Sequence, residues 1–564
     1  MEIFSLDDFS VSAALLGLTV VGTSMAIVWF TVKRNQMAQK AETSPFPGLP
    51  TAPGAHWLLG HLPRMEQPNG FLGSKYVFQD YADKTTGLCA VWAANKRALS
   101  VLSGNDAKTI LKASRTKASH SYVTLHFQKF LGKKNMVTLQ GKEWKLYRTA
   151  VHKSFTPAMM EQSQNIITTV GKTLAESLLK EIHQKQEEKH TSNMKREIHP
   201  LMKMATADVF FATMLGVDLQ ACSHLELPTM ATSFEFLASE FSRRIRSPLD
   251  ITASQYYLPT KANQKHAEHH RAIQSYIMDQ LLTQQKQTSS SNDKDFLENN
   301  QNKNNNLLYH IWKAAESEAA TVGETVDMEA VCDVAMTLFF AGYDTTSITL
   351  AYAIYLLVKH PEIYRNCLEE IDAVLGGTEK DFTGPEQLPY TQAVIYETLR
   401  LYPPATLVAR ALEKDMELHG HTFPKGTSCY VPIWLIQRHE MNFPRPLEMR
   451  PDRWVRWQQA PTDNESNATS STRKSKWEER PPDDDDNLAT DIAPANQDAF
   501  VAFSLGARNC AGRSLAIRES VTILSCLLHK LQFELVDPSY QVHSIVKLLN
   551  QPDDGLPMII KARR

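Results

Sequence analysis

Apolar residues recur at three- and four-residue spacing through long parts of this chain, the period of helices with one buried face. The pattern predicts helices over Gly141–Ser154, Gln164–Lys185, Ala262–Gln285, Met328–Lys359, Glu362–Leu375, Thr391–Leu401 and Arg513–Lys530. The alternation of a half-buried strand is scarce. It is confined to Met416–Pro432, where Pro424-Lys425-Gly426 marks a turn, and to a late pair around Val542 and Met558. The expected fold class is mainly α with a small β-sheet region, in one large domain over residues 56–564. Phe9–Val32 breaks the pattern: it carries no charge and is mostly apolar. As a helix it would extend roughly 36 Å, enough to cross a hydrocarbon core of about 30 Å. Glu2, Asp7 and Asp8 precede it and Lys33, Arg34 and Lys40 follow, which keeps the basic flank on the cytosolic side. Residues 1–40 therefore read as a membrane anchor with its flank. A cleaved signal peptide is the competing reading, disfavoured by the acidic start and the length of the apolar run. Pro45, Pro47, Pro50 and Pro53 make 41–55 a stiff, extended hinge.

Two stretches interrupt the periodic pattern. Residues 284–306 are rich in Gln, Asn, Ser and Lys, and residues 458–497 hold Asp483–Asp486 among many Ser, Thr and Pro. Neither has enough apolar surface to bury, so both are expected as solvated loops inserted in the domain. The second carries glycosylation sequons at Asn464 and Asn467, which must stay silent if the domain is cytosolic. Composition mainly excludes. A formal net charge of −2 over 564 residues gives no electrostatic case for nucleic acid as a partner. The seven cysteines are odd in number and scattered, with no Cys-x-x-Cys pair. They indicate neither a disulfide framework nor a zinc site, and point to a reducing compartment.

The most specific chemistry lies in Phe503-Ser504-Leu505-Gly506-Ala507-Arg508-Asn509-Cys510-Ala511-Gly512. Here one cysteine sits in a turn that opens directly into the helix expected over Arg513–Lys530. A helix N-terminus carries roughly half a positive charge and unpaired amides, and such a site lowers a cysteine pKa. Gly506 and Gly512 permit a tight turn and the close approach of a flat partner. Arg508 would neutralise an acidic group on that partner, and Phe503 would cover one side of the sulfur. A soft thiolate in an apolar shell suits iron. A buried free cysteine is the bland alternative, and the fixed offsets of the glycines, arginine and phenylalanine argue against it.

Other clusters add to this. Ala341-Gly342-Tyr343-Asp344-Thr345-Thr346 places a carboxylate beside a hydroxyl inside an apolar helix. Such a pair can relay protons from solvent, and the glycine lets the helix distort locally. A second membrane span is disfavoured, because Asp333 and Asp344 leave apolar runs too short to cross a bilayer. Glu397 and Arg400 stand one helical turn apart. Leu401-Tyr402-Pro403-Pro404 then ends the helix, and Arg450-Pro451-Asp452-Arg453-Trp454 follows downstream. Trp144 and Arg148 share a helical face, a pairing that alone reads as a surface stack.

Together these motifs resemble the cytochrome P-450 family, the haem-thiolate monooxygenases. The signature Phe-x-x-Gly-x-Arg-x-Cys-x-Gly is matched at every fixed position. Ala/Gly-Gly-x-Asp/Glu-Thr, Glu-x-x-Arg, Pro-x-Arg-Phe/Trp and Trp-x-x-x-Arg are matched as well, in the family's order. The resemblance spans His56–Arg564, apart from the two inserts. It implies that Cys510 is the axial thiolate ligand of a haem b whose propionates meet Trp144, Arg148, Arg410 and Arg508. Phe503, Gly506 and Gly512 would complete the cofactor shell. Asp344 and Thr345 would be the acid and alcohol that guide the protonation and cleavage of dioxygen. Glu397, Arg400 and Arg453 would form a structural triad that supports the haem-binding core. One departure is Gln437-Arg438-His439, where relatives often read His-Arg-Asp.

The resemblance further implies a single-pass enzyme of the endoplasmic reticulum membrane with its catalytic domain facing the cytosol. It would insert one atom of O2 into an apolar organic substrate, whether lipid, sterol, terpenoid or xenobiotic. Electrons would come from an NADPH-dependent reductase, with a small haem protein as a further donor. A peroxide isomerase or dehydratase of the same fold, needing no reductase, and a non-enzymatic haem sensor are the alternatives. The Asp344–Thr345 pair argues against both. The sequence names no substrate; Tyr122–Phe130 and Leu227–Phe241 are the candidate pocket-lining regions.

Overall fold

The largely apolar stretch Met328–Lys359 forms one long helix, capped at its start by Asp327, which accepts the Glu329 amide at 2.9 Å. The computed structural model in which it is seen describes residues 44–56, 61, 64, 71–93, 96–118, 121–189, 194–245, 254–289, 306–321, 323–376, 382–457, 477–479 and 498–563. The expected anchor and both sequons lie outside these residues, as does most of each expected insert. Among the described residues no helix is long and apolar enough to cross a membrane.

The longer helices are α1 (Gly104–Ala113), α2 (Ser121–Leu131), α3 (Gly141–Ser154), α4 (Pro157–Lys189), α5 (Ile198–Leu215), α6 (Thr229–Ile245), α7 (Lys261–Ser289), α8 (Leu307–Thr321), α9 (Met328–Lys359), α10 (Pro361–Leu375), α11 (Pro389–Leu401) and α12 (Arg513–Lys530). Helix α9 passes through two apolar cores. Its first half packs with α3, α6, α7 and α8, and its second half with α4, α10, α11, α12 and the sheets. The chain is mainly helical with small sheets, as the apolar periodicity predicts.

The strands are more numerous than expected. Leu88–Ala93 pairs antiparallel with Lys96–Val101, which runs parallel to Ser428–Val431, itself antiparallel to Val408–Ala411. Every residue of the first strand is buried, so it shows no alternation to read. A second antiparallel sheet joins Leu531–Leu535, Pro557–Ala562 and Met194–Glu197.

The turn expected at Pro424-Lys425-Gly426 is present, but what the strands around it and the late pair do is corrected. Within Met416–Pro432 the hairpin turns at His419-Gly420, both at positive φ, and joins Met416–Leu418 to His421–Phe423. The Pro424-Lys425-Gly426 turn instead leads from that hairpin into a different sheet. The residues around Val542 and Met558 do not pair with each other: Ser544–Val546 pairs with Asn550–Pro552, and Met558 lies opposite Leu535.

The second insert is not wholly a solvated loop. Trp477–Glu479 pairs with Val455–Trp457, and the Trp477 ring lies 4.6 Å from that of Tyr390. The part of the proline-rich stretch that is described also packs. Phe46, Leu49 and Ala52 are buried, and the Pro50 carbonyl accepts the Ala90 amide at 2.8 Å.

Candidate functional site

Where α9 passes between its two cores, a cavity of about 410 Å³ opens. Leu338, Ala341, Gly342 and Thr345 of α9 form one wall, and residues 502–504 and 508–512 with the first turns of α12 form another. Val209 and Phe210 of α5, Val408 and Ile433 contribute further apolar surface. Tyr122–Phe130 and Leu227–Phe241, expected around a pocket, do not line this cavity. Their rings pack instead on one another, with Phe127 at 4.6 Å from Phe241 and Phe130 at 5.4 Å from Phe234.

Cys510 reaches the cavity. The other six cysteines are buried, whereas the Cys510 side chain is accessible. Protein nevertheless surrounds it on nearly every side, so what it opens onto is internal space. The Cys510 amide donates to the Phe503 carbonyl at 2.8 Å, closing the loop. Ser504 and Gly506 both sit in the left-handed region, at φ 56 and 72. A Cβ on Gly506 would stand 2.3 Å from the Leu111 carbonyl oxygen at the end of α1. Gly512 differs: its φ of −94 suits any residue, and a Cβ there would meet only open space. It leaves room; it makes no special turn.

The expected depression of the cysteine pKa is also corrected. Burial pushes the Cys510 thiol up, and the Gly512 amide with the Arg148 and Arg513 charges only partly opposes it.

Lys117, Arg148 and Arg508 line the same cavity, and Arg410 lies behind them, close enough to repel Lys117 and Arg508. Arg508 stacks on Trp144 with its guanidinium carbon 3.8 Å from the ring centre and donates to the Leu139 carbonyl at 2.8 Å. Arg148 donates to the Asn509 side chain at 2.5 Å. Arg410 donates to Ser504 Oγ at 3.1 Å, but its buried Nε has no partner. Burial and mutual repulsion bring Lys117 down to about 7 and Arg508 to about 10, and burial brings Arg410 to about 10. Among the described residues no carboxylate offsets any of the four. Such a cluster fits a ligand with more than one anionic group. A haem fits these residues: a thiol for the iron, apolar walls for the macrocycle, space at Gly512, and unpaired cations for two propionates.

On α9, Thr345 lines the cavity and donates its hydroxyl to the Ala341 carbonyl at 2.5 Å. Asp344 is turned from it toward α5, with Lys203 Nζ at 3.7 Å. Burial raises the Asp344 carboxyl, and Lys203 pulls it back. The helix runs as regular α through Gly342, without the local distortion expected there.

Glu397, Arg400 and Arg453 come together beside the cavity. Arg400 grips Glu397 through Nε and Nη2 at 2.7 and 2.8 Å, and Arg453 Nε lies 3.7 Å from Glu397 Oε2. All three are buried. The remaining lone pairs of Glu397 take the Arg450 amide and the Trp454 indole, at 2.9 and 3.0 Å. Arg400 also donates to the carbonyls of Gln437, Pro446 and Glu448, stitching α11 to the segment that follows. Gln437 and Arg438 bond to backbone of α11, and neither lines the cavity.

Sequence reasoning missed Lys117 and Glu519. Lys117 lies in a segment without a motif. Glu519 is embedded in α12, where burial raises its carboxyl well above the usual range and leaves Oε1 without a partner. No spacing signals either one.

The sequence model of the Cytochrome P450 family matches residues 50–555. Cytochrome P450 4V2 of Mus musculus is 22% identical over 521 residues, covering 91% of this chain and 90% of that protein. Cytochrome P450 4c3 of Drosophila melanogaster is 22% identical over 548 residues, covering 95% and 92%. Cytochrome P450 72A13 of Arabidopsis thaliana is 25% identical over 426 residues, covering 75% and 72%. With the family match running through nearly the whole described fold, this chain belongs to the cytochrome P450 family of haem monooxygenases, whose iron is held by a cysteine thiolate.

Proposed function

We propose that the chain is a membrane-anchored monooxygenase that inserts one oxygen atom of O2 into an apolar organic substrate. The observation that carries this is the meeting, in one cavity, of an accessible cysteine and three cations, backed by Arg410, none of the four with a carboxylate partner. Cys510 would hold the haem iron through its thiolate. Desolvation alone favours the thiol, and the sulfur would bind iron as the thiolate, giving up its proton. Lys117, Arg148, Arg410 and Arg508 would hold the propionates through charge-assisted hydrogen bonds, and Arg410 has a free Nε to offer. Trp144 holds the Arg508 plane by stacking, Phe503 shields the sulfur side, and Gly506 fixes the loop. When bound, the haem supplies the activation of dioxygen.

The chain's own residues govern protons and substrate. Thr345 presents its hydroxyl at the cavity wall, and Asp344 behind it stores a proton for delivery. Val209, Phe210, Leu338 and Val408 exclude water and favour an apolar substrate. The Glu397–Arg400–Arg453 triad keeps the haem-binding core folded. Residues 1–40 anchor the protein, 41–55 form the hinge, and 56–564 face the cytosol from the endoplasmic reticulum membrane. An NADPH-dependent reductase on that membrane supplies electrons.

The test is turnover by the purified full chain with NADPH, O2, a reductase and a panel of lipids. NADPH consumption should depend on substrate. Thr345→Ala should lower product per NADPH by about tenfold or more, with hydrogen peroxide appearing in its place. Equal coupling in the variant and the parent would contradict the role of Thr345.

A further inference from the structure

Asp344 does not face the cavity, so the proton it is read as delivering must be replenished from elsewhere. The charged groups on its far side form a single chain of contacts. Lys203 of α5 stands between two carboxylates, with Nζ 3.7 Å from Asp344 Oδ1 and 2.7 Å from Glu235 Oε1 of α6. Tyr343 donates its hydroxyl to that same Glu235 oxygen at 3.0 Å, and Thr206 ties the Tyr343 carbonyl to α5 at 3.0 Å. Exposure rises along the chain, from 16% for the Asp344 and Lys203 side chains to 33% for Glu235. His199 and Lys547 are the other titratable neighbours. His199 lies 3.5 Å from Ser347 Oγ, and burial with the Lys203 and Lys547 charges keeps it neutral. A pair built only to neutralise the buried acid would place the ammonium nearer Asp344. Here it lies nearer the exposed carboxylate, leaving Asp344 only partly compensated.

We propose that Glu235 and Lys203 are the inlet through which solvent protons reach Asp344, with Glu235 at the solvent end and Lys203 as the carrier. This rests on the proposed role of Asp344 as the distal acid. The Lys203 ammonium gives a proton to the Asp344 carboxylate, so an N–H bond breaks and an O–H bond forms. At the solvent end the Glu235 carboxylate takes a proton from hydronium, leaving water, and passes it to the Lys203 amine, so an O–H bond breaks, an N–H bond forms, and both groups return to their starting charge. A displacement of about 1 Å brings Nζ into hydrogen-bonding range of Asp344, so the carrier alternates between the two carboxylates. Tyr343 and Thr206 hold the frame in which it moves.

The test compares the holoenzyme with Lys203→Met, Glu235→Gln and Asp344→Asn variants. One readout needs no turnover: infrared titration of the carboxyl band that disappears in D344N. The other is the solvent deuterium isotope effect on product formation, measured with product per NADPH. Loss of the Lys203 charge should move the Asp344 band to higher pH. Both K203M and E235Q should raise the isotope effect and lower product per NADPH, by about tenfold for K203M. Should K203M fail to fold, E235Q still decides through the isotope effect. If D344N uncouples while the Lys203 and Glu235 variants match the parent in both readouts, the inlet is overturned and the distal acid stands. If D344N itself couples normally, the acid assignment falls and takes the inlet with it.

Discussion

Gly506 and Gly512 belong to one loop but are glycines for different reasons. Gly506 holds a positive φ, and its Cα faces the Leu111 carbonyl too closely for any side chain. Gly512 has an ordinary backbone and empty space where a Cβ would go. Gly506→Ala should therefore cost the haem-free protein about 1–3 kcal/mol in strain, read by chemical denaturation. Gly512→Ala should leave that stability unchanged and weaken haem retention. The reverse pattern would contradict the account of the loop. Residues of this kind were legible because their offsets from Cys510 are fixed by a turn. Lys117 was not, because its importance comes from convergence. It acquires a meaning only when the fold sets it beside Arg410 and Arg508 with no carboxylate in reach.

Long helices were legible at the scale of elements either because a polar face punctuates the pattern, as in α3, or because the apolar stretch is too long for a strand, as in α9. Gly141–Ser154, Met328–Lys359 and Arg513–Lys530 have the limits their periodicity predicts. Helix α5 was missed because it is buried on almost every side, which removes the polar face that makes a period visible. The strand Leu88–Ala93 escaped for the same reason. The Glu397–Arg400 pair shows how little local spacing says about strength. On an exposed helix such a pair is worth a few tenths of a kcal/mol. Here both residues are wholly buried and bonded to Arg453, Trp454 and backbone. Glu397→Gln would strand two guanidinium groups, and we expect a loss of about 3–5 kcal/mol in unfolding free energy. A denaturation midpoint equal to the parent's would remove the triad from the account.

The bulk charge of the whole molecule misleads. A net charge of −2 hides a cavity lined by Lys117, Arg148 and Arg508 with a single carboxyl, Glu519, among its walls. The order of motifs along the chain pointed to the family, which the match over residues 50–555 establishes. The position of the cavity could not be read that way. It exists only where α9 passes between two cores built from distant parts of the chain. Asp344 turning toward α5, away from that cavity, is likewise a consequence of packing. The central claim is that Cys510 bonds an iron porphyrin as a thiolate, and the ferrous–CO absorption spectrum tests it most directly. The full chain should show the red-shifted band of a thiolate-ligated haem, and Cys510→Ala should lose it. A band that persists in the variant, or a parent protein that never shows it, would contradict the assignment.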